Sequence, residues 1–217
     1  PSPYTRFGIY VKRIGKKLYP NVTITSLVGK PYNPIPLTDS PRYFDTFIWD
    51  IIDRFAAEAE LLAELDKVGI NHIIYIYHII YIYQMTITDL SDHSHWMSID
   101  IAGDLAKHAV AESAMAVQKV YNNRQSNKRQ SHQRASGLII SMARVERRLR
   151  TKWKNRIAPT AVASLTAVIQ YLVDDILSLA GSIAATESGK VIPRHIFITI
   201  VMDEALDVFF GEWIIPQ

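Results

Sequence analysis

The densest chemistry in this chain is cationic. Arg147, Arg148 and Arg150 fall within one helical turn of sequence, Lys152, Lys154 and Arg156 continue the run, and Glu146 is the one acid among them. Fixed positive charge at this density suits phosphate. Each cation that displaces a condensed counterion from a nucleic acid makes log affinity fall by about 0.9 per log unit of salt. Such a cluster does not read bases, and an arginine entering a minor groove senses its width and deformability instead. A second cationic segment, Lys12, Arg13, Lys16 and Lys17, lies near the start of the chain.

Other chemistries find little support. The absence of cysteine excludes a disulfide scaffold, a thiolate zinc site and a cysteine nucleophile together. No glycine-rich phosphate loop, Ser-His-Asp order or pair of buried carboxylates stands out. His93 and His95, with Asp89 and Asp92 nearby, come nearest to a metal set. A His-x-His pair on a helix points to different faces, however, and no carboxylate–histidine motif surrounds it. The expectation is a non-enzyme with no metal and no cofactor.

The composition is that of a folded protein. Of 217 residues, 48% are apolar and 21% charged, which excludes disorder of the whole chain and leaves room for one large domain or two small ones. A membrane-spanning helix needs about 20 apolar residues. The longest apolar run, residues 73–83, is interrupted by His78, so no membrane role is expected. The net charge of +3 hides a strong segmentation: +6 over residues 1–30, −9 over 31–118, +11 over 119–156 and −5 over 157–217. Basic, acidic, basic, acidic is a pattern given twice, as a duplicated unit with a cationic opening segment would give it.

The elements that must position these charges also recur. Phe7, Tyr10, Val11, Ile14 and Leu18 at 3–4 residue spacing predict a short amphipathic helix over 4–18, ended by Pro20 and Asn21. A proline-rich loop over 29–41 leads to a long helix over 41–67, with Ser40 as cap, Pro41 at its first position and Gly69 as its stop. Its stripe is Phe44, Phe47, Ile48, Ile51, Ile52, Phe55, Ala59 and Leu62. Thr88 is expected to cap a third helix, and 103–121 to form a fourth. Residues 122–136 carry Arg124, Lys128, Arg129 and Arg134 among Asn, Gln and Ser and read as a linker. The order then repeats: a short basic helix over 141–151, a long one over 160–185, a short one opened by Pro193 over 193–201, and a last turn at Asp203. A lone long helix can bury its stripe only against partners, so two such units are expected to cross and satisfy each other within one chain.

Those segments resemble the core histones. IYVKRIGKKLYP (9–20), FIWDIIDRFAAEAELLA (47–63) and GDLAKHAVAES (103–113) are similar to core histone 2B. ARVERRLR (143–150), AVIQYLVDDILSLAG (167–181) and VIPRHI (191–196) are similar to core histone 2A. The likeness covers most of the chain outside 27–40, 70–84 and the linker, and its order resembles the fused histone doublets of Marseillevirus-type giant DNA viruses. It implies an all-α fold: a 2B-like histone fold over 1–121, a basic linker over 122–136 and a 2A-like histone fold over 137–217, paired as a handshake pseudo-heterodimer.

The resemblance also implies roles. In the family, first helices present their N-termini to phosphate, and each contact site joins one unit's first loop to the other's second loop. Arg144, Arg147 and Arg150 match arginines at the end of the 2A first helix, and Arg156 falls where a loop arginine enters the minor groove. Ile24, Thr25 and Ser26 match the 2B first loop, and Thr88 its second loop. Lys190 replaces an arginine of the 2A second loop, and Arg194 follows it. An arginine expected just before Thr88 is missing, since Gln84 and Met85 stand there. Asp175, Asp203 and Glu204 match 2A members of an acidic docking patch, and Asp104 and Glu112 its 2B members. Gln170, Ser178 and Ala205 fill matching positions without charge, so a weakened patch is expected. Two insertions depart from the pattern: 27–40, and the HIIYIY repeat over 72–83, whose β-propensity predicts a small covered strand.

The function implied is structural DNA packaging in a viral nucleosome, largely independent of sequence. The partners implied are double-stranded DNA, a tetramer-forming partner resembling histones three and four and itself a doublet, and a second copy of this chain. The location implied is the virion and the viral factory or host nucleus. The competing reading is a histone-fold transcription regulator subunit that binds one promoter element.

Overall fold

A computed structural model of the chain describes residues 7–21, 23–24, 44–45, 47–49, 51–53, 56, 93–125, 130–152, 157–187 and 189–207. Helix dominates them. The elements are α1 (Gly8–Leu18), β1 (Thr23–Ile24), α2 (His93–Gln125), α3 (His132–Ser136), α4 (Met142–Lys152), α5 (Pro159–Glu187), β2 (Lys190–Val191) and α6 (Pro193–Met202). The nine described residues between 44 and 56 are also helical. Thr25, Ser26, Thr88, Lys154, Arg156, the 27–40 insertion and the HIIYIY repeat over 72–83 lie outside the described residues.

The short helices follow their apolar spacing. In α1, Val11, Ile14 and the flanking Phe7 are fully buried, while Lys12, Arg13, Lys16 and Lys17 are exposed. In α4, Met142, Val145 and Leu149 are buried at the same three-to-four residue spacing, and Arg147 and Arg150 are exposed. Helix α5 differs: Thr160–Ile169 is buried without interruption, with Thr160, Ser164 and Thr166 as its polar members. By length and apolar composition α5 would suffice to cross a membrane, but 67% of its most apolar stretch is covered within the protein, as in the central helix of a core.

One expectation changes. The helices drawn over the third and fourth positions are a single helix, α2, which runs 33 residues straight through Gly103. One glycine costs a helix interior only about 1 kcal/mol relative to Ala, and extending a formed helix gains a hydrogen bond per residue, so a lone glycine without proline does not stop it. Within 122–136, the described residues 122–125 and 132–136 are helical. Asn122–Gln125 close α2, and α3 forms a helical turn capped by the Ser131 hydroxyl and ended by Gly137 at φ 74°. That left-handed conformation is one in which glycine is unstrained.

The chain divides into two compact units, and each draws on both halves of the sequence. One comprises Pro1–Thr5, Phe47–Leu90 and Ala106–Tyr171; the other comprises Arg6–Thr46, Ser91–Leu105 and Leu172–Gln217. In the first, the apolar core includes Ile48, Ile51 and Ile52 from the 44–56 helix, Val120 from α2, Val145 and Leu149 from α4, and Leu165 and Ile169 from α5. Ser113 of α2 and Ser164 of α5, both fully buried, share a hydroxyl hydrogen bond of 2.5 Å. In the second unit, Phe7, Val11, Ile14 and Phe44 accompany Val173, Ile176, Leu177, Ala180, Ile196 and Ile200. There Tyr19, just past α1, lies where a Cβ on Gly181 would stand, and its hydroxyl donates to the Ser178 carbonyl at 2.7 Å.

Candidate nucleic-acid interface

In the second unit, the site grows from two loops that the sequence keeps far apart. Strand β1, just after α1, pairs in parallel with β2, just after α5, with Thr23 opposite Lys190 and Ile24 opposite Val191. Val191 is buried and Lys190 exposed, so the alternation of a two-residue strand turns the valine into the core and the cation to solvent. The expected Ile24 and Lys190 are thus brought together. Arg194 is exposed at the second residue of α6, and Lys16 and Lys17 are exposed in the last turn of α1. Earlier in α1, the Arg13 guanidinium lies 5.7 Å from the ring centre of Tyr10.

The N-terminus of α1 is partly satisfied from within the chain. The Phe7 and Gly8 amides both donate to the carboxylate of Asp45, the latter at 3.0 Å, and Asp45 is buried. A helix start leaves four amides without partners. Two groups at this start are already taken by a carboxylate of the chain itself, which also satisfies the positive end of the helix dipole.

In the first unit, α4 separates its arginines into different environments. Arg147 and Arg150 are exposed, and Arg150 reaches back to Glu146 through Nε at 3.1 Å and Nη2 at 2.6 Å, an i,i+4 pair on the helix surface. Arg144 is half-buried. Arg148 stands beside the buried Val145 and Leu149 and turns inward. Its Nε donates to Asp53 Oδ1 at 3.0 Å, its Nη2 donates to Oδ2 at 2.5 Å, and its guanidinium lies 5.5 Å from the Trp49 ring centre. With side chains 26% and 23% exposed, this bidentate pair is largely covered. The sequence sets only Glu146 against the cluster; the fold adds Asp53. Lys152 closes α4.

Several polar residues that sequence reasoning left without a role hold these elements. Gln133 donates to the carbonyls of Leu138 and Ile140 and accepts from the Met142 amide at 2.7 Å, tying α3 to the start of α4. Gln170, a position matched to the acidic patch, accepts from the amides of Ile139 and Ile140 at 2.7 and 3.2 Å. Asn123 forms reciprocal hydrogen bonds with the backbone of Gln130. Amide side chains in a polar stretch give no advance sign of such long-range bonding. Buried His195 bonds Glu187.

The patch residues distribute between the units. Asp175, Asp203 and Glu204, with Asp104, belong to one; Glu112 belongs to the other. Glu112 and Glu204 are exposed. Asp203 is half-buried, and its carboxylate accepts from the Leu206 amide at 2.9 Å, capping the predicted last turn.

No family model matches the chain. A 112-residue stretch, 50% of the chain, is 38% identical to a histone 2B–2A doublet of Melbournevirus and covers 41% of that protein's length. A 90-residue stretch is 38% identical to histone 2A of Kluyveromyces lactis and covers 69% of it. The chain belongs to the histone 2A family. A histone 2A of Saccharomyces cerevisiae gives the same identity over 90 residues, 68% of its length. The similarity to single 2A histones extends over 41% of this histone chain.

Proposed function

We propose that this histone packages DNA as a doublet: two histone folds, over 1–121 and 137–217, joined through 122–136 and paired as a handshake equivalent to a 2B–2A dimer. The observation that carries this reading is the parallel pairing of Thr23–Ile24 with Lys190–Val191. It joins the first loop of one half to the second loop of the other, with a cation exposed beside it. Two compact units that each mix both halves of the chain favour the same reading.

In this role the cations neutralise phosphate. Arg144, Arg147 and Arg150 act from α4, Lys12, Arg13, Lys16 and Lys17 from α1, and Lys190 and Arg194 from the paired loops. Thr25, Ser26, Thr88, Lys152, Lys154 and Arg156 complete the path. Binding is sequence-blind and salt-dependent. The carboxylates Asp104, Glu112, Asp175, Asp203 and Glu204 form a reduced docking patch. The protein works without catalysis, beside a tetramer-forming partner resembling histones three and four and a second copy of itself. It resides with DNA in the virion and the viral factory or host nucleus. Reconstitution with those partners on mixed-sequence DNA followed by nuclease digestion tests the proposal. Protected fragments of about 120–147 base pairs are expected. A complex without protection, or one formed on a single promoter element alone, overturns it.

A further inference from the structure

The loop that carries Lys190 is closed by a buried imidazole. His195 is 1% exposed, and its Nε2 lies 2.9 Å from Glu187 Oε2 at the end of α5. On the other side of the ring, the Ile192 amide donates to Nδ1 at 3.4 Å, while the His195 amide donates back to the Ile192 carbonyl at 2.9 Å. Because Nδ1 faces an N–H it is the acceptor, so the proton sits on Nε2 and is donated to the carboxylate. One side chain thus ties the last residue of α5 to the residue preceding α6. Between these ties, Gly189 takes φ 66°, and its amide returns to the Ala184 carbonyl at 2.7 Å. The chain is thereby turned directly into β2.

We propose that His195 and Glu187 form a clasp that positions Lys190 for phosphate, making His195 a positioning residue for DNA binding although it is buried and touches no DNA. The inference rests on the reading of the paired loops as a DNA contact. A two-residue strand pair is too short to hold a loop in register by itself. The clasp fixes both ends of the loop, so the backbone that carries Lys190 has little ordering left to lose on binding.

A clasp and simple charge counting make opposite predictions. Replacing Glu187 removes a negative charge near the cations and would, on electrostatics alone, strengthen binding. A positioning clasp requires the opposite. The test measures full-chain binding to a short mixed-sequence duplex between about 50 and 200 mM salt, for the parent, Lys190→Ala, Glu187→Ala, His195→Phe and His195→Gln. Lys190→Ala is expected to lower the salt slope by about 0.9, one phosphate contact. Glu187→Ala and His195→Phe are expected to weaken binding and approach that slope. They should also speed amide exchange at residues 189–192 without speeding it in α5. His195→Gln, whose amide can accept from Ile192 and donate to Glu187, is expected to stay near the parent. If Lys190→Ala lowers the slope but Glu187→Ala binds as well as or better than the parent, the clasp is overturned and the DNA reading stands. If Lys190→Ala itself changes nothing, the loop is not a DNA contact and both readings fall. Glu187 is half exposed, so its variant decides the matter even if His195→Phe does not fold.

Discussion

Arg148 and Arg147 are neighbours in a single basic run, yet the structure gives them different work. Replacing Arg148 with Met keeps an unbranched apolar stem against Trp49 and removes the guanidinium from Asp53. A fully exposed ion pair contributes about 0–1 kcal/mol, whereas removing one partner of a fully buried pair costs about 3–5 kcal/mol. This pair is about three-quarters covered and bidentate, so the loss falls between, at about 1–3 kcal/mol. Urea unfolding reads it as a lower midpoint. A double-mutant cycle with Asp53→Asn should give a coupling of about 1–2 kcal/mol, since hydrogen bonds to charged groups contribute on that scale. The DNA readout should separate the two arginines. Arg147→Ala is expected to lower the salt slope by about 0.9, while Arg148→Met leaves the slope unchanged. If Arg148→Met preserves the midpoint and lowers the slope as Arg147→Ala does, the guanidinium belongs to the interface and the structural assignment fails.

Three further substitutions probe the packing between helices. Gly181→Ala improves helix propensity by about 1 kcal/mol, but its Cβ would meet the Tyr19 ring, which the hydroxyl bond to Ser178 holds in place. Overpacking of this kind costs about 1–3 kcal/mol, so the net effect on thermal unfolding should be neutral to destabilising; a raised Tm would show that the ring moves freely. Ser113→Ala or Ser164→Ala each leaves one fully buried hydroxyl without its partner, at about 1–3 kcal/mol. The double Ala variant should lose less than the sum of the two, and strict additivity in urea unfolding would mean that the pair is not coupled.

Much of the architecture was legible because it is periodic. The stripes of α1 and α4 and the starts of α5 and α6 were readable from apolar spacing, Pro193 and the two charge repeats, since burial at helical period constrains residue type at every turn. What local patterns do not show is long-range and polar. The continuity of α2 through Gly103 is not visible locally, because a glycine's cost of about 1 kcal/mol is offset by the hydrogen bonds of the rest of the helix. Gln133, Gln170 and Asn123 look like any polar residues of a solvated stretch, and only their bonds across 7 to 31 residues show what they do.

The sequence by itself determined that this protein is helical, that its cations are gathered in two segments, and that those segments suit phosphate, because charge and hydropathy are properties of residue type. The tertiary structure decided which cations face outward. Arg148 folds onto Asp53 and Trp49 while Arg147 remains at the surface, a choice set by helix rotation and by a carboxylate 95 residues away. The structure also closed the start of α1 with Asp45, placed Thr23 opposite Lys190, and tied the loop that carries Lys190 with His195 and Glu187. Those pairings depend on which segments meet once the apolar stripes are buried, and no local pattern encodes that meeting.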